Sequence, residues 1–148
     1  MFLRHYCVHL VGPDPSTGFP SFPADARAAR GFNGDLDRHL ERWRQEFTAG
    51  GRPTAELGVR AARKTLLAAA GLVSVHDETW TTDRMRASQR WSEIEPHLAV
   101  PLALLQSWAD GKQTPSPGEL EGVLGPDGVV ARVVARFAST IGLWNDAP

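Results

Sequence analysis

Apolar residues recur every three to four positions through most of the chain, and that period predicts helices. Leu36, Leu40, Trp43 and Phe47 form the buried face of a first helix that ends at Ala49 to Gly51. Asn33 is placed as its N-cap, and Asp35 and Asp37 in its first turn suit the positive end of a helix dipole. A second helix is predicted from Thr54, as cap, to Gly71, as stop. Leu57, Ala61 and Ala68 form one stripe on it, and Val59, Ala62, Leu66 and Ala69 form the adjacent one. So wide an apolar face marks this helix as central. Leu72 to Val75 reads as briefly extended. A third helix opens at Thr81 or Thr82 with Asp83 in its first turn, and Met85, Ser88 or Gln89, and Trp91 or Ser92 trace its path. The next opens near Glu95-Pro96 and turns Leu98, Leu102, Leu105 and Trp108 inward, with Pro101 expected to kink or restart it. Ser116, Pro117 and Glu119 spell a capping box. A last helix follows Pro126-Asp127-Gly128 and turns Val129, Val133, Phe137, Thr140 and Ile141 inward.

The front of the chain breaks this rhythm. Tyr6 to Pro15, YCVHLVGPDP, reads as a short strand at Cys7 to Val11 that stops at Gly12-Pro13. The prolines and glycines from Gly12 to Pro23 oppose both helix and sheet, and Phe19 and Phe22 are the expected anchors onto a core. No second strand is predicted. A lone strand leaves a row of backbone donors and acceptors to be solvated, folded over the bundle, or paired with a sheet on another domain. The expected fold is therefore all-α: a helical bundle of five to seven helices with one short N-terminal β-like segment. Residues 1–31 form the lead-in and 32–148 the bundle, within one domain.

Composition narrows the function classes. The chain has 148 residues and a formal net charge of −1, which gives no broad electrostatic footprint for nucleic acid or an anionic membrane. Its single cysteine, Cys7, excludes an internal disulfide and a cysteine-rich metal site. The apolar run at the front is too short for a signal peptide, and no window approaches the roughly 20 apolar residues of a membrane span. A cytoplasmic protein is expected, and the Ala, Arg, Gly and Val usage suggests a high-GC bacterium.

Arg60 to Trp91, RAARKTLLAAAGLVSVHDETWTTDRMRASQRW, resembles the C-terminal helical domain of aminoglycoside nucleotidyltransferases of the streptomycin/spectinomycin adenylyltransferase type. The likeness is carried by Arg63, Gly71, Thr82-Asp83-Arg84, Ala87 and Trp91, with Leu10 to Pro13 where that family has a Gly-Pro turn after its catalytic domain. The order of these elements agrees from about residue 9 onward. The sequence departs from the family in lacking its nucleotide-contacting lysine near Arg84 and in having a longer loop, SVHDETW. Such enzymes hold Mg²⁺ in a separate α/β domain, marked by a Gly-Ser turn and an Asp-x-Asp pair, where the ion bridges the nucleotide phosphates. No Gly-Ser dipeptide occurs here, and Asp35 and Asp37, the available pair, read as helix-dipole compensation. The resemblance thus implies a non-catalytic, substrate-side module that binds no metal or cofactor by itself. ATP and Mg²⁺ belong to the full family enzyme. The implied partners are a catalytic nucleotidyltransferase domain or homologous chain and a small-molecule ligand. A truncated product, a free-standing paralogue and a partner in trans all fit.

The implied ligand is a nucleotide or a small cationic compound, held between the second helix and the Thr82–Trp91 helix. Arg63, Lys64 and Arg84, with Asp83 beside it, are the candidates to meet phosphates; Glu56 is the candidate for a cation, and Trp91, like Trp80, for stacking. Each also has a plainer reading. Glu56 is a favourable first-turn acid, Arg84 a solvated arginine, and the tryptophans core or rim aromatics. His76 and Asp77 are adjacent in sequence, which is not in itself a catalytic arrangement. An alternative class rests on Arg90 and His97 in RWSEIEPH, which resembles the arginine-histidine motif of HEPN ribonucleases and toxin components. There the histidine acts on the ribose 2′-hydroxyl and the arginine steadies the phosphate. A bundle that only mediates interactions is the third reading.

Overall fold

Short side chains on most sides of one long helix organise the molecule. The structure is a computed structural model that describes residues 10–19 and 23–144. Among them are seven α-helices: α1 (Ala26–Asn33), α2 (Leu36–Ala49), α3 (Thr54–His76), α4 (Arg84–Ile94), α5 (Ala99–Ala109), α6 (Pro117–Leu124) and α7 (Val129–Thr140). Two 3-10 turns, Pro15–Gly18 and Pro96–Leu98, accompany them. The fold is an all-α bundle, as the apolar period predicts. α3 packs against every other described helix. Its alanines at 61, 62, 68, 69 and 70 are buried together with Leu57, Leu66 and Leu72, so neighbouring backbones come close.

The predicted core is largely the observed one. Leu36, Leu40, Trp43, Leu98, Leu102, Leu105, Trp108, Val129, Val133, Phe137 and Ile141 are all buried. The capping box forms as written: the Ser116 hydroxyl takes the Glu119 amide, and the Glu119 carboxylate takes the Ser116 amide at 2.9 Å. Of the two outcomes expected at Pro101, the restart is the one observed: a helix begins at Ala99 after the Pro96–Leu98 turn, and Pro101 lies in its first turn, where its missing amide would have had no partner inside the helix.

Several boundaries differ from expectation, each for a physical reason. Asn33 is not an N-cap but the last residue of α1, a helix the periodicity does not predict, capped instead by Asp25 accepting from the Ala28 amide at 2.8 Å. The helical part therefore begins before residue 32. Thr54 is the first helical residue of α3, with Pro53 at the cap position and no side-chain cap bond. Gly71 does not end α3. The buried stripe continues through Leu72 and Val73, and the helix runs to His76. Its end is marked by Glu78, whose φ of 53° takes the left-handed place a glycine usually fills. The expected extended stretch Leu72 to Val75 is thus helical. Thr140 is exposed rather than inward, and Phe19 is exposed while Phe22 lies outside the described residues. Of the expected strand, Cys7 to His9 lie outside the described residues. Leu10 and Val11 are exposed and belong to no strand, and none occurs among the described residues.

Candidate functional site

The best-formed cavity lies where α1 crosses α3. It measures about 310 Å³ and is lined by Ala29, Phe32 and Asn33 of α1, Lys64, Leu67, Ala70, Gly71 and Ser74 of α3, and the Trp80–Thr82 segment. α1 crosses α3 beside Gly71. A Cβ at that position would stand 3.7 Å from the Ala29 Cβ and 3.5 Å from Phe137, so α1 and α7 both sit directly on the helix there. Lys64 ties the C-terminal end of α1 to α3. Its ammonium donates to the Phe32 carbonyl at 3.2 Å and pairs with Asp35 at 2.9 Å, which suits a helix end rich in unpaired carbonyls. Burial raises the Asp35 carboxyl, but the Lys64 bond and the charges of Lys64 and His39 outweigh it and leave the pKa lowered. His39, 3.1 Å from the same carboxylate, has its pKa lowered by burial despite that pull.

Ser74 builds the opposite lip. Its hydroxyl donates to the Ala70 carbonyl at 2.7 Å and accepts from the Thr81 amide at 3.0 Å, while the Ser74 carbonyl takes the Thr79 amide at 3.1 Å. These bonds fold the chain back after α3 and set Trp80 over the cavity. Its ring meets Phe32 edge-on, with centroids 6.5 Å apart.

Of the ligand candidates singled out from the sequence, Lys64 and Trp80 line this cleft, together with Gly71 and Thr82 of the resemblance. Glu56 is exposed and paired with Arg52 at the start of α3. Arg63 donates to the Ala109 carbonyl at 3.3 Å and so closes the end of α5. Asp83 caps α4, accepting from the Met85 and Arg86 amides at 3.0 and 3.1 Å. Arg84 is half-buried and bonds to no described residue. Trp91 is buried in the core, so it is not placed to stack on a ligand in this cleft. The expected groove also differs: α3 and the approach to α4 supply two walls, but α1 supplies the third, and α4 itself packs against α3. Phe32, Asn33 and Leu67 were not foreseen, because nothing in local periodicity says which helix crosses α3 at Gly71.

A second polar cluster lies at the end of α3. His76 Nδ1 is 2.7 Å from Asp77, so the adjacent pair does meet. Arg90 grips the same carboxylate with two bonds of 3.0 Å and donates to Glu93 at 3.0 Å. Three of its donors are thereby engaged, and His97 is turned to Glu95 at 3.5 Å. The Arg90 fork, helped by His76, pulls the Asp77 carboxyl from 3.8 down to about 2. A carboxyl depressed in this way contributes stability above its unfolded pKa and loses it as pH falls from about 3.8 towards 2. In Arg90→Ala the Asp77 side-chain carbon resonance is expected to titrate well above its wild-type midpoint. An unchanged midpoint would show that the fork is not the cause.

No group of three or more His, Cys, Asp or Glu among the described residues is placed to share a metal ion. No described helix is long and apolar enough to cross a membrane. The chain matches no protein-family model, no curated protein and no solved structure.

Proposed function

We propose that this chain is a non-catalytic, ligand-binding helical module, of the kind that forms the substrate side of an aminoglycoside adenylyltransferase, and that it holds a nucleotide in the cleft of Phe32, Lys64, Leu67 and Trp80. The cleft itself carries the reading: about 310 Å³, with two aromatic rings at its mouth, apolar walls and an ammonium at its edge. Small-molecule sites have this character, mostly apolar with a few placed polar groups, and begin at about this size. The cleft shares α3 and the approach to α4 with the groove that the sequence resemblance implies. Its lining residues include no carboxylate, so an ammonium-rich drug finds no charge partner on the walls, whereas a nucleotide finds rings and a donor.

Calorimetric titration of the full chain with Mg-ATP and with streptomycin tests this directly. Heat from ATP is expected, together with its loss in Trp80→Ala. Binding of neither compound would overturn the reading in favour of a bundle that only mediates interactions. RNA cleavage that disappears in Arg90→Ala would overturn it in favour of a ribonuclease.

A further inference from the structure

The cleft is lined by one carboxamide that is only weakly bonded to the protein. Asn33 is 6% exposed and lines the cavity at the end of α1. Its Nδ2 donates to the Leu67 carbonyl at 3.4 Å, beyond the usual range for such bonds. No described residue donates to its Oδ1, and one Nδ2 hydrogen remains unused. Two other polar groups of the walls, Ser74 and Lys64, are already engaged. The Ser74 hydroxyl both donates and accepts, and the charge of Lys64 is offset by Asp35 at 2.9 Å. An occupant of the interior therefore meets apolar walls, two aromatic rings and a neutral carboxamide edge, with the paired Lys64 ammonium at the rim.

We infer that the cleft reads the base of its ligand: an adenine-type ring, whose amino group lies beside a ring nitrogen, bonds the Asn33 carboxamide edge to edge while the phosphates stay outside. This rests on the reading that the cleft binds a nucleotide. A carboxamide presents one acceptor and one donor side by side, and the amino–ring-nitrogen edge of adenine presents the complementary pair. The Asn33 oxygen takes the amino hydrogen, and its free Nδ2 hydrogen goes to the ring nitrogen. A flat bicyclic ring suits a cavity framed by Phe32, Leu67 and Trp80.

Titration of the full chain with adenosine, ATP and inosine, each with and without magnesium, decides the matter. Adenosine is expected to bind as tightly as ATP and independently of magnesium. Inosine, which carries a carbonyl in place of the amino group, is expected to bind roughly tenfold or more weakly, the lower end of what a bidentate base contact discriminates. Asn33→Leu, close in size, is expected to abolish the preference for adenosine over inosine. Should that variant fail to fold, the inosine comparison on the unaltered chain still decides. Equal binding of adenosine and inosine overturns the inference. So does binding of Mg-ATP without binding of adenosine, which leaves the nucleotide reading standing. Binding of none of the three overturns both.

Discussion

Trp108→Ala is expected to remove about 3–5 kcal/mol of stability, the range seen when a large buried aromatic is truncated. Single domains hold only about 5–15 kcal/mol in total, so this one change brings the chain close to unfolding. Trp108 is fully buried on α5, and its ring lies under the start of α3, where a Cβ at Gly58 would stand 3.5 Å from it. Pro115 closes the same spot from the segment before α6, at 2.5 Å from that Cβ position. The indole nitrogen has no hydrogen-bond partner among the described residues. Truncation therefore loses no hydrogen bond, and the cost is that of lost apolar burial plus the cavity left where three segments converge. Trp108→Phe, which keeps a ring in place, is accordingly expected to cost much less. Urea unfolding followed by circular dichroism should show a lower midpoint with an unchanged slope. A loss below about 1 kcal/mol, within the ordinary range of single substitutions, would show that the site collapses around the gap and that Trp108 is not central.

The contrast between what the sequence revealed and what it hid follows from range. Leu98, Leu102, Leu105 and Trp108 are inward because a helix repeats its face every three to four residues, which is a local fact. The Ser116–Glu119 box is likewise written within one turn. α1 was hidden because ARAARGFN is short and its apolar residues, Phe32 apart, are alanines. Its buried residues are Ala29 and Asn33, and it is held by Lys64 from α3 and by Trp144, whose indole donates to the Arg30 carbonyl at 2.9 Å. Asn33 has the composition of a cap and Gly71 that of a stop, yet long-range packing overrides both preferences. Asn33 sits where α1 meets α3, and Gly71 sits mid-helix where α1 and α7 touch α3 at ordinary contact distance. The candidate site inherits that difficulty. Lys64 was visible as a candidate to meet phosphates, but its partners in the cleft come from segments spread between Ala29 and Thr82. His76 and Asp77 show the same limit at short range, since only the end of α3 and the reach of Arg90 determine that their side chains meet.

The second large effect is expected at Gly128, where sterics and capping preference predict opposite signs. Gly128 is the N-cap of α7, with φ −69° and ψ 161°, a conformation any L residue adopts without strain. Capping preference alone ranks serine at or slightly above glycine there, so Gly128→Ser would be neutral or mildly stabilising. The surroundings forbid it. A Cβ at this position would stand 2.3 Å from the Val123 carbonyl oxygen and 2.4 Å from that of Gly122. Both are main-chain atoms of α6, and they cannot swing aside as a side chain would. Nor is that end of α6 free to retreat, because Arg44 of α2 donates to the Leu124 and Gly125 carbonyls at 2.7 and 3.1 Å. Gly128→Ala and Gly128→Ser are therefore both expected to destabilise by about 1–3 kcal/mol or more, the cost of overpacking a tight contact. Gly71→Ala is the internal control. Its Cβ meets nothing closer than 3.5 Å, and replacing a mid-helix glycine gains about 0.5–1 kcal/mol of backbone preference, so it should be neutral or stabilising. Chemical denaturation of the three variants beside the parent chain reads all of this in one series. A Gly128→Ser variant as stable as the parent would mean that the α6–α7 turn can open at little cost, and that the clamp by Arg44 does not hold it.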